Sequence, residues 1–183
     1  AIQHASSRIL KAMNRRGDKE FLYDLFKRTR EIIQNPTLRT TVIVGFPGET
    51  EEDFQELLYF IQDVKFDHLG AFTYSREENT VADTMDNQVD EKVKKSRLNR
   101  LMRIQQKISY DLNKKRIGEI MEGLVVAMTL KNGEYEFRSG WNAPDDVDGK
   151  IIITSDEPLK IGQKIKVKIT NAFSYDLYGI KLN

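Results

Sequence analysis

Thr41-Val42-Ile43-Val44-Gly45-Phe46-Pro47-Gly48-Glu49-Thr50-Glu51-Glu52-Asp53-Phe54 decides how this chain folds. The β-branched run reads as a strand, the two glycines and the proline as a tight turn, and the acidic segment as a helix that starts at once. A strand feeding a helix in this way delivers a small-molecule site at the strand's carboxyl end. Gly45 and Gly48 admit backbone angles that other residues resist and let a ligand approach the main chain. Thr50 is placed to cap the helix, and Asp53, three residues on, completes a capping box. Phe54, Leu57, Leu58 and Ile61 recur at helical spacing. The turn is not a phosphate cradle of the P-loop type. It lacks the Lys-Ser/Thr pair, and Glu51, Glu52 and Asp53 in the first helical turn would repel phosphate. Spacing alone fits an ordinary short βα turn equally well.

Outward from this stretch the elements alternate. Residues 1–4 read as the end of a strand, and Ser6 as the cap of a short helix carrying Ile9, Leu10 and Met13. Asp18 caps a second helix whose expected core face is Phe21, Leu22, Leu25, Phe26, Ile32 and Ile33, and Asn35-Pro36 stops it. Residues 38–44 are the strand before the turn, and 66–74 form the next strand after it. This order implies a parallel sheet with right-handed crossovers. Residues 75–89 are polar and irregular. A long helix is expected over 90–115, with Val93, Leu98, Leu101, Ile108 and Leu112 as its apolar stripe and its lysines and arginines as a solvated face. After Gly118 the period changes from 3.6 to 2. Residues 120–129, 135–138, 150–153, 163–170 and 175–181 read as five short strands, with Asn132-Gly133 a hairpin turn. Five strands in so short a segment suit an OB-like β-barrel.

Composition narrows the function. The chain has 183 residues and no cysteine, so it forms no disulfide and supplies no thiolate to a metal or iron–sulfur cluster. His4 and His68 are too scattered for a zinc site. No apolar run approaches the ~20 residues of a membrane span, and no secretory leader is visible at the start. A cytoplasmic location away from the membrane is the expectation. Residues 1–117 hold 21 Lys+Arg against 18 Asp+Glu, a net of +3, while residues 118–183 hold 8 against 10, a net of −2. The barrel is therefore not a basic module, which argues against a nucleic-acid partner.

Ile2-Gln3-His4-Ala5-Ser6-x-Arg8-Ile9-Leu10-Lys11-x-Met13-Asn14-Arg15, followed by the stretch from Thr40 to Phe54, resembles the methylthiotransferases of the radical S-adenosylmethionine (SAM) superfamily. The terminal barrel resembles their TRAM domain. The likeness covers nearly the whole chain. The implied architecture is a partial, open TIM-like radical SAM α/β barrel over 1–89, a linking helix over 90–117, and a small five-stranded OB-like TRAM barrel over 118–183. Three details favour the branch that methylthiolates an aspartate side chain of a small-subunit ribosomal protein, the twelfth of the S series. They are Gln3-His4-Ala5-Ser6, the segment Ser75-Arg76-Glu77-Glu78-Asn79-Thr80, and the acidic Asp145-Asp146-Val147-Asp148-Gly149. Asn79 departs from the family, which usually has glycine there. A tRNA methylthiotransferase of the same family, or a non-catalytic TRAM-like binding module, remains the alternative. The resemblance implies SAM and two [4Fe–4S] clusters in the full-length enzyme. This chain looks like its C-terminal part, and without cluster ligands it is expected to be inactive alone.

By the same resemblance, Val44, Gly45, Phe46, Pro47 and Gly48 should border the SAM pocket, with Gln3, His4 and Ser6 on the first strand and Phe72 and Tyr74 on the third. Each has a plainer alternative: barrel core for the aromatics, a hydrogen-bonded structural imidazole for His4. No residue of this chain is assigned a catalytic role. Arg15 and Arg16 are candidates for clamping a substrate carboxylate, or are simple surface arginines. Trp141, in a polar loop, is either a substrate anchor or a plug for the barrel end. Asp145, Asp146 and Asp148 would attract a basic ribosomal protein and disfavour tRNA. The abrupt first strand leaves an edge through which the fragment is expected to self-associate.

Overall fold

A computed structural model describes residues 1–143 and 148–182. The chain divides into two compact units, Ala1–Ile108 and Ser109–Asn183.

In the first unit, helix α1 (Ser7–Ala12) and helix α2 (Lys19–Ile32) precede strand β1 (Arg39–Val44). Helix α3 (Glu51–Val64), strand β2 (His68–Thr73) and helix α4 (Glu91–Lys115) follow, and α4 runs on past the boundary between the units. β1 and β2 are parallel, in register from Arg39 opposite His68 to Val44 opposite Thr73. Residue 3 adds a single parallel bridge to Val42. The expected first strand is thus reduced to one contact, because Gln3 takes a φ of 66° and turns the chain out of extended geometry. The core consists of Val42 and Val44 from β1, Phe54, Leu57, Phe60 and Ile61 from α3, Phe66, and Leu101 from α4. Burying each such side chain stabilises the unit by about 1.5–3 kcal/mol.

Three sequence expectations fail here for identifiable reasons. Ser6 precedes α1, but its side chain makes no capping bond and donates to Asp53 instead. On α2, only Leu22 of the expected core face is buried, with Phe26 packed beside it. Tyr23 and Phe26 stack edge-on against Phe60 and Phe66, whereas Phe21, Leu25, Ile32 and Ile33 are exposed. The buried stripe is therefore narrower than the apolar content of the helix. On α4, Val93 is exposed while Lys94 and Arg97 are buried. Stepping back from Leu101 by helical spacing lands on Arg97 and Lys94, so two cations occupy the inward face. Asn79, where glycine is usual, has a φ of 64°, a conformation that asparagine tolerates better than most residues.

In the second unit, strands β3 (Ile120–Met128), β4 (Glu134–Ser139), β5 (Ile151–Thr154), β6 (Lys164–Ala172) and β7 (Leu177–Lys181) close into a barrel in the order β3-β4-β5-β7-β6. All neighbours are antiparallel except β5 and β7. β6 alternates exposed and buried positions, sending Ile165, Val167 and Ile169 inward and Lys164, Lys166 and Lys168 outward. Together with Val125, Phe137, Ile151, Ile153 and Leu177, these inward residues form the core. The five strands anticipated from the period-2 pattern are the five observed. No helix among the described residues is long and apolar enough to cross a membrane.

Candidate functional site

The carboxyl ends of the parallel strands converge on a cavity of about 560 Å³, whose walls include Gln3, Met13, Arg15, Ile43, Phe46, Tyr74 and Met85. Ile43 faces it because alternation along β1 sends Val42 and Val44 the other way, into the core. Phe46 projects from the turn and meets Tyr74 edge-on, ring centres 5.4 Å apart. The lining is largely apolar. Within it, Gln3 Oε1 and Tyr74 Oη are buried without hydrogen-bond partners. Buried polar atoms left in this way are costly unless a ligand or water completes them.

The turn is held by a carboxylate. Glu49, fully buried, accepts from the backbone N–H of Gly45 at 2.7 Å and of Phe46 at 3.4 Å. Arg97 donates to its other oxygen at 2.8 Å and to its backbone carbonyl at 3.1 Å. His4 stands behind this group: its Nδ1 accepts from Ser6 N–H, which leaves Nε2 facing Glu49 at 3.5 Å. Gly45 has a φ of 76°, and a Cβ there would lie 2.3 Å from the Lys94 stem that covers it. Gly48 has a φ of 78°, and a Cβ there would meet only Arg8 Nη1 at an ordinary 3.9 Å, so its backbone conformation is what demands glycine.

A second carboxylate anchors the start of α3. Asp53 forms the expected capping box with Thr50. It also accepts from Ser6 Oγ at 2.7 Å and pairs with Arg8, which in turn donates to Gly48 O at 2.7 Å. Burial pushes the Asp53 carboxyl up, but the bonds from Arg8, Thr50 and Ser6 outweigh it and hold the group well below the usual carboxylate range. Arg8 is raised in turn, chiefly by its bond to Asp53.

The anticipated residues therefore fall into distinct places. Gln3, Phe46 and Tyr74 line the cavity. Gly45, Pro47 and Gly48 shape the turn beside it, Val44 is core, and His4 and Ser6 are buried in the networks behind it. Phe72 is exposed and does not line the cavity. Arg15 lines the cavity and also an adjoining hollow of about 550 Å³, which Arg16 borders beside Ile2 and Phe26. Trp141 is buried in the barrel core. Asp148 accepts from Ala143 N–H at 2.8 Å. Asp145 and Asp146 lie outside the described residues. Sequence reasoning missed Ile43, Met13, Met85 and Arg97. Alternation along β1 could have found the first, and helical spacing on α4 the last.

Residues 1–61 match the radical SAM superfamily, and residues 117–180 match the TRAM domain. The chain thus carries a radical SAM segment followed by a TRAM segment. Among curated relatives it is 46% identical to the ribosomal protein uS12 methylthiotransferase RimO of Clostridium botulinum (strain Langeland), over 100% of this chain and 40% of that protein. It is 47% identical to RimO of Clostridioides difficile and 51% identical to RimO of Pelotomaculum thermopropionicum, each over 97% of this chain and 40% of the relative. The chain thus spans less than half the length of the curated relatives it matches. The resemblance drawn from residues 2–15 and 40–54 agrees with both findings.

Proposed function

We propose that this chain forms the cofactor-side strands and TRAM barrel of a RimO-type methylthiotransferase acting on an aspartate side chain of ribosomal protein uS12. The observation that carries the reading is the cavity at the strand ends, with its apolar walls and two unpartnered polar atoms, Gln3 Oε1 and Tyr74 Oη. Such a slot suits SAM. Ile43, Phe46 and Met85 offer a surface for the adenine, Gln3 and Tyr74 polar partners, and Arg15 a cation for a carboxylate. When bound with its iron–sulfur cluster, SAM supplies the radical chemistry. The chain's own task is to bind and orient it.

The [4Fe–4S] clusters find no such fit. The chain has no cysteine, and no group of His, Asp or Glu among the described residues is arranged to hold a metal. Their ligands belong to the remaining length seen in the relatives. The barrel's net charge of −2 favours a basic ribosomal protein over tRNA as its partner. Such an enzyme works in the cytoplasm, where ribosomes are made.

Isothermal titration of SAM into the chain tests the cofactor reading. Saturable binding is expected, weakened by Ile43→Trp, which fills the cavity, and by Gln3→Ala. No binding, or binding indifferent to both substitutions, would remove the cavity from consideration. For the substrate, the complete enzyme is expected to methylthiolate uS12, read by mass spectrometry, and to leave tRNA unmodified.

A further inference from the structure

We infer that Lys94 and Arg97 of α4 are positioning residues for the cofactor cavity, an assignment that rests on the proposed SAM site. Neither side chain lines the cavity. Each instead grips the end of one strand that does. Arg97 binds the carboxylate and the carbonyl of Glu49, and that carboxylate holds the Gly45 and Phe46 amides from which the Phe46 ring projects. Arg97 Nε also faces Glu51 at 3.7 Å, so one guanidinium ties the turn to the first turn of α3. Lys94 lays its stem over Gly45 and donates from Nζ to the Tyr74 carbonyl at 3.1 Å. Its ammonium lies 5.2 Å from the centre of the Tyr74 ring and 2.7 Å from Glu91, which supplies the counter-charge.

The spacing of the two cations on α4 therefore sets the separation between Phe46 and Tyr74, the two rings that meet across the cavity wall. Burial makes this placement stiff. Lys94 and Arg97 are 3% and 5% exposed, so neither can trade its partner for water without moving the helix. The partners next to the cavity are the Tyr74 carbonyl and the amide-bound Glu49, a rigid support for a binding surface.

The test compares SAM affinity with thermal stability in the 183-residue chain. Lys94→Met keeps the stem and removes the ammonium. Arg97→Lys keeps the charge and loses the fork. Glu49→Gln with Arg97→Gln removes both charges together, so that no lone ion is left buried. Each is expected to weaken SAM binding by about tenfold, as misplaced supports do. Amide shifts are expected at Gly45, Phe46 and Tyr74. Phe60→Leu, in the same core but away from the cavity, serves as the stability control and should lower the melting temperature without changing affinity. Unchanged affinity in the folded α4 variants overturns the inference. So does a loss of affinity that Phe60→Leu reproduces at the same melting temperature. If the wild-type chain binds no SAM, the cofactor reading itself fails and takes this assignment with it. Binding by the wild type and by every variant alike sinks the assignment alone.

Discussion

The two units solve the same problem of enclosure with different chemistry. The first buries Glu49, Asp53, Asp67, Lys94 and Arg97, while no Asp, Glu, Lys or Arg of the barrel strands is buried among the described residues. The barrel interior is aliphatic and aromatic. Where a polar tip enters it, as at Tyr135, the hydroxyl accepts from the Leu159 amide. Burying an ion pair is seldom the cheapest way to stabilise a core, because desolvation offsets much of the attraction. Glu49, Asp53, Lys94 and Arg97 cluster at the carboxyl ends of the strands beside the cavity, where geometry has to be held, whereas Asp67 accepts from the Leu38 amide at their other end. Among the described residues the barrel interior holds no comparable cluster of charges. The contrast is between an interior that holds paired charges beside a cavity and one built from apolar side chains.

The largest expected effect comes from breaking that buried charge. Arg97→Met leaves the Glu49 carboxylate enclosed without its cation, which should cost about 3–5 kcal/mol. Adding Glu49→Gln should restore a large part of it. A double-mutant cycle measured by urea unfolding reads the coupling. A negligible coupling would mean that the backbone amides of Gly45 and Phe46 satisfy Glu49 unaided, and the contrast between the two interiors would lose its energetic meaning.

The barrel was almost fully legible in the sequence, and the first unit only in outline. Alternation along β6 is enforced by a closed barrel with one wet face and one dry face, so pattern and burial coincide. The capping box at Thr50 and Asp53 was legible because it depends on residues three apart. The links from Ser6 and Arg8 to Asp53, and from Arg97 to Glu49, join residues more than forty positions apart. No local pattern encodes them. Charged residues on α4 were assigned to solvent because exposure is their usual fate. Helical spacing from Leu101 would have flagged Arg97, but only the partner at Glu49 explains why it can be buried. On α2 the error ran the other way: Phe21 and Leu25 are apolar, yet they remain 54% and 43% exposed.

Acid should separate the units next. Asp53 has a depressed folded pKa, so its contribution is fully present above the unfolded value of about 3.9 and is lost as pH falls toward the folded one. Below about pH 4 the first unit should weaken more steeply than the barrel strands. Hydrogen exchange followed on the amides of α3 and of β5–β7 across this range gives the comparison. Asp53→Asn should flatten the response of α3. An unchanged slope in that variant would transfer the acid sensitivity to another carboxylate.

The smallest effect is expected in the barrel, and its value lies in what it should not depend on. Ile153 of β5 is fully buried, in register with Tyr135 on one side and Gly179 on the other. Ile153→Val removes one methylene from a core with no charge to re-solvate. The cost should be about 0.5–1.5 kcal/mol, the range for this change in packed interiors. Packing loss of this kind carries no titrating group, so the same penalty should appear at neutral pH and near pH ~4. It should be equally insensitive to salt, which screens charges and not methyl contacts. Denaturant midpoints for the variant and the parent, taken at two pH values and two salt concentrations, decide the matter. A penalty that grows in acid would show the barrel core to be coupled to ionisable groups. The division between a charged interior built for a site and an apolar one built for packing would then fail at its simpler end.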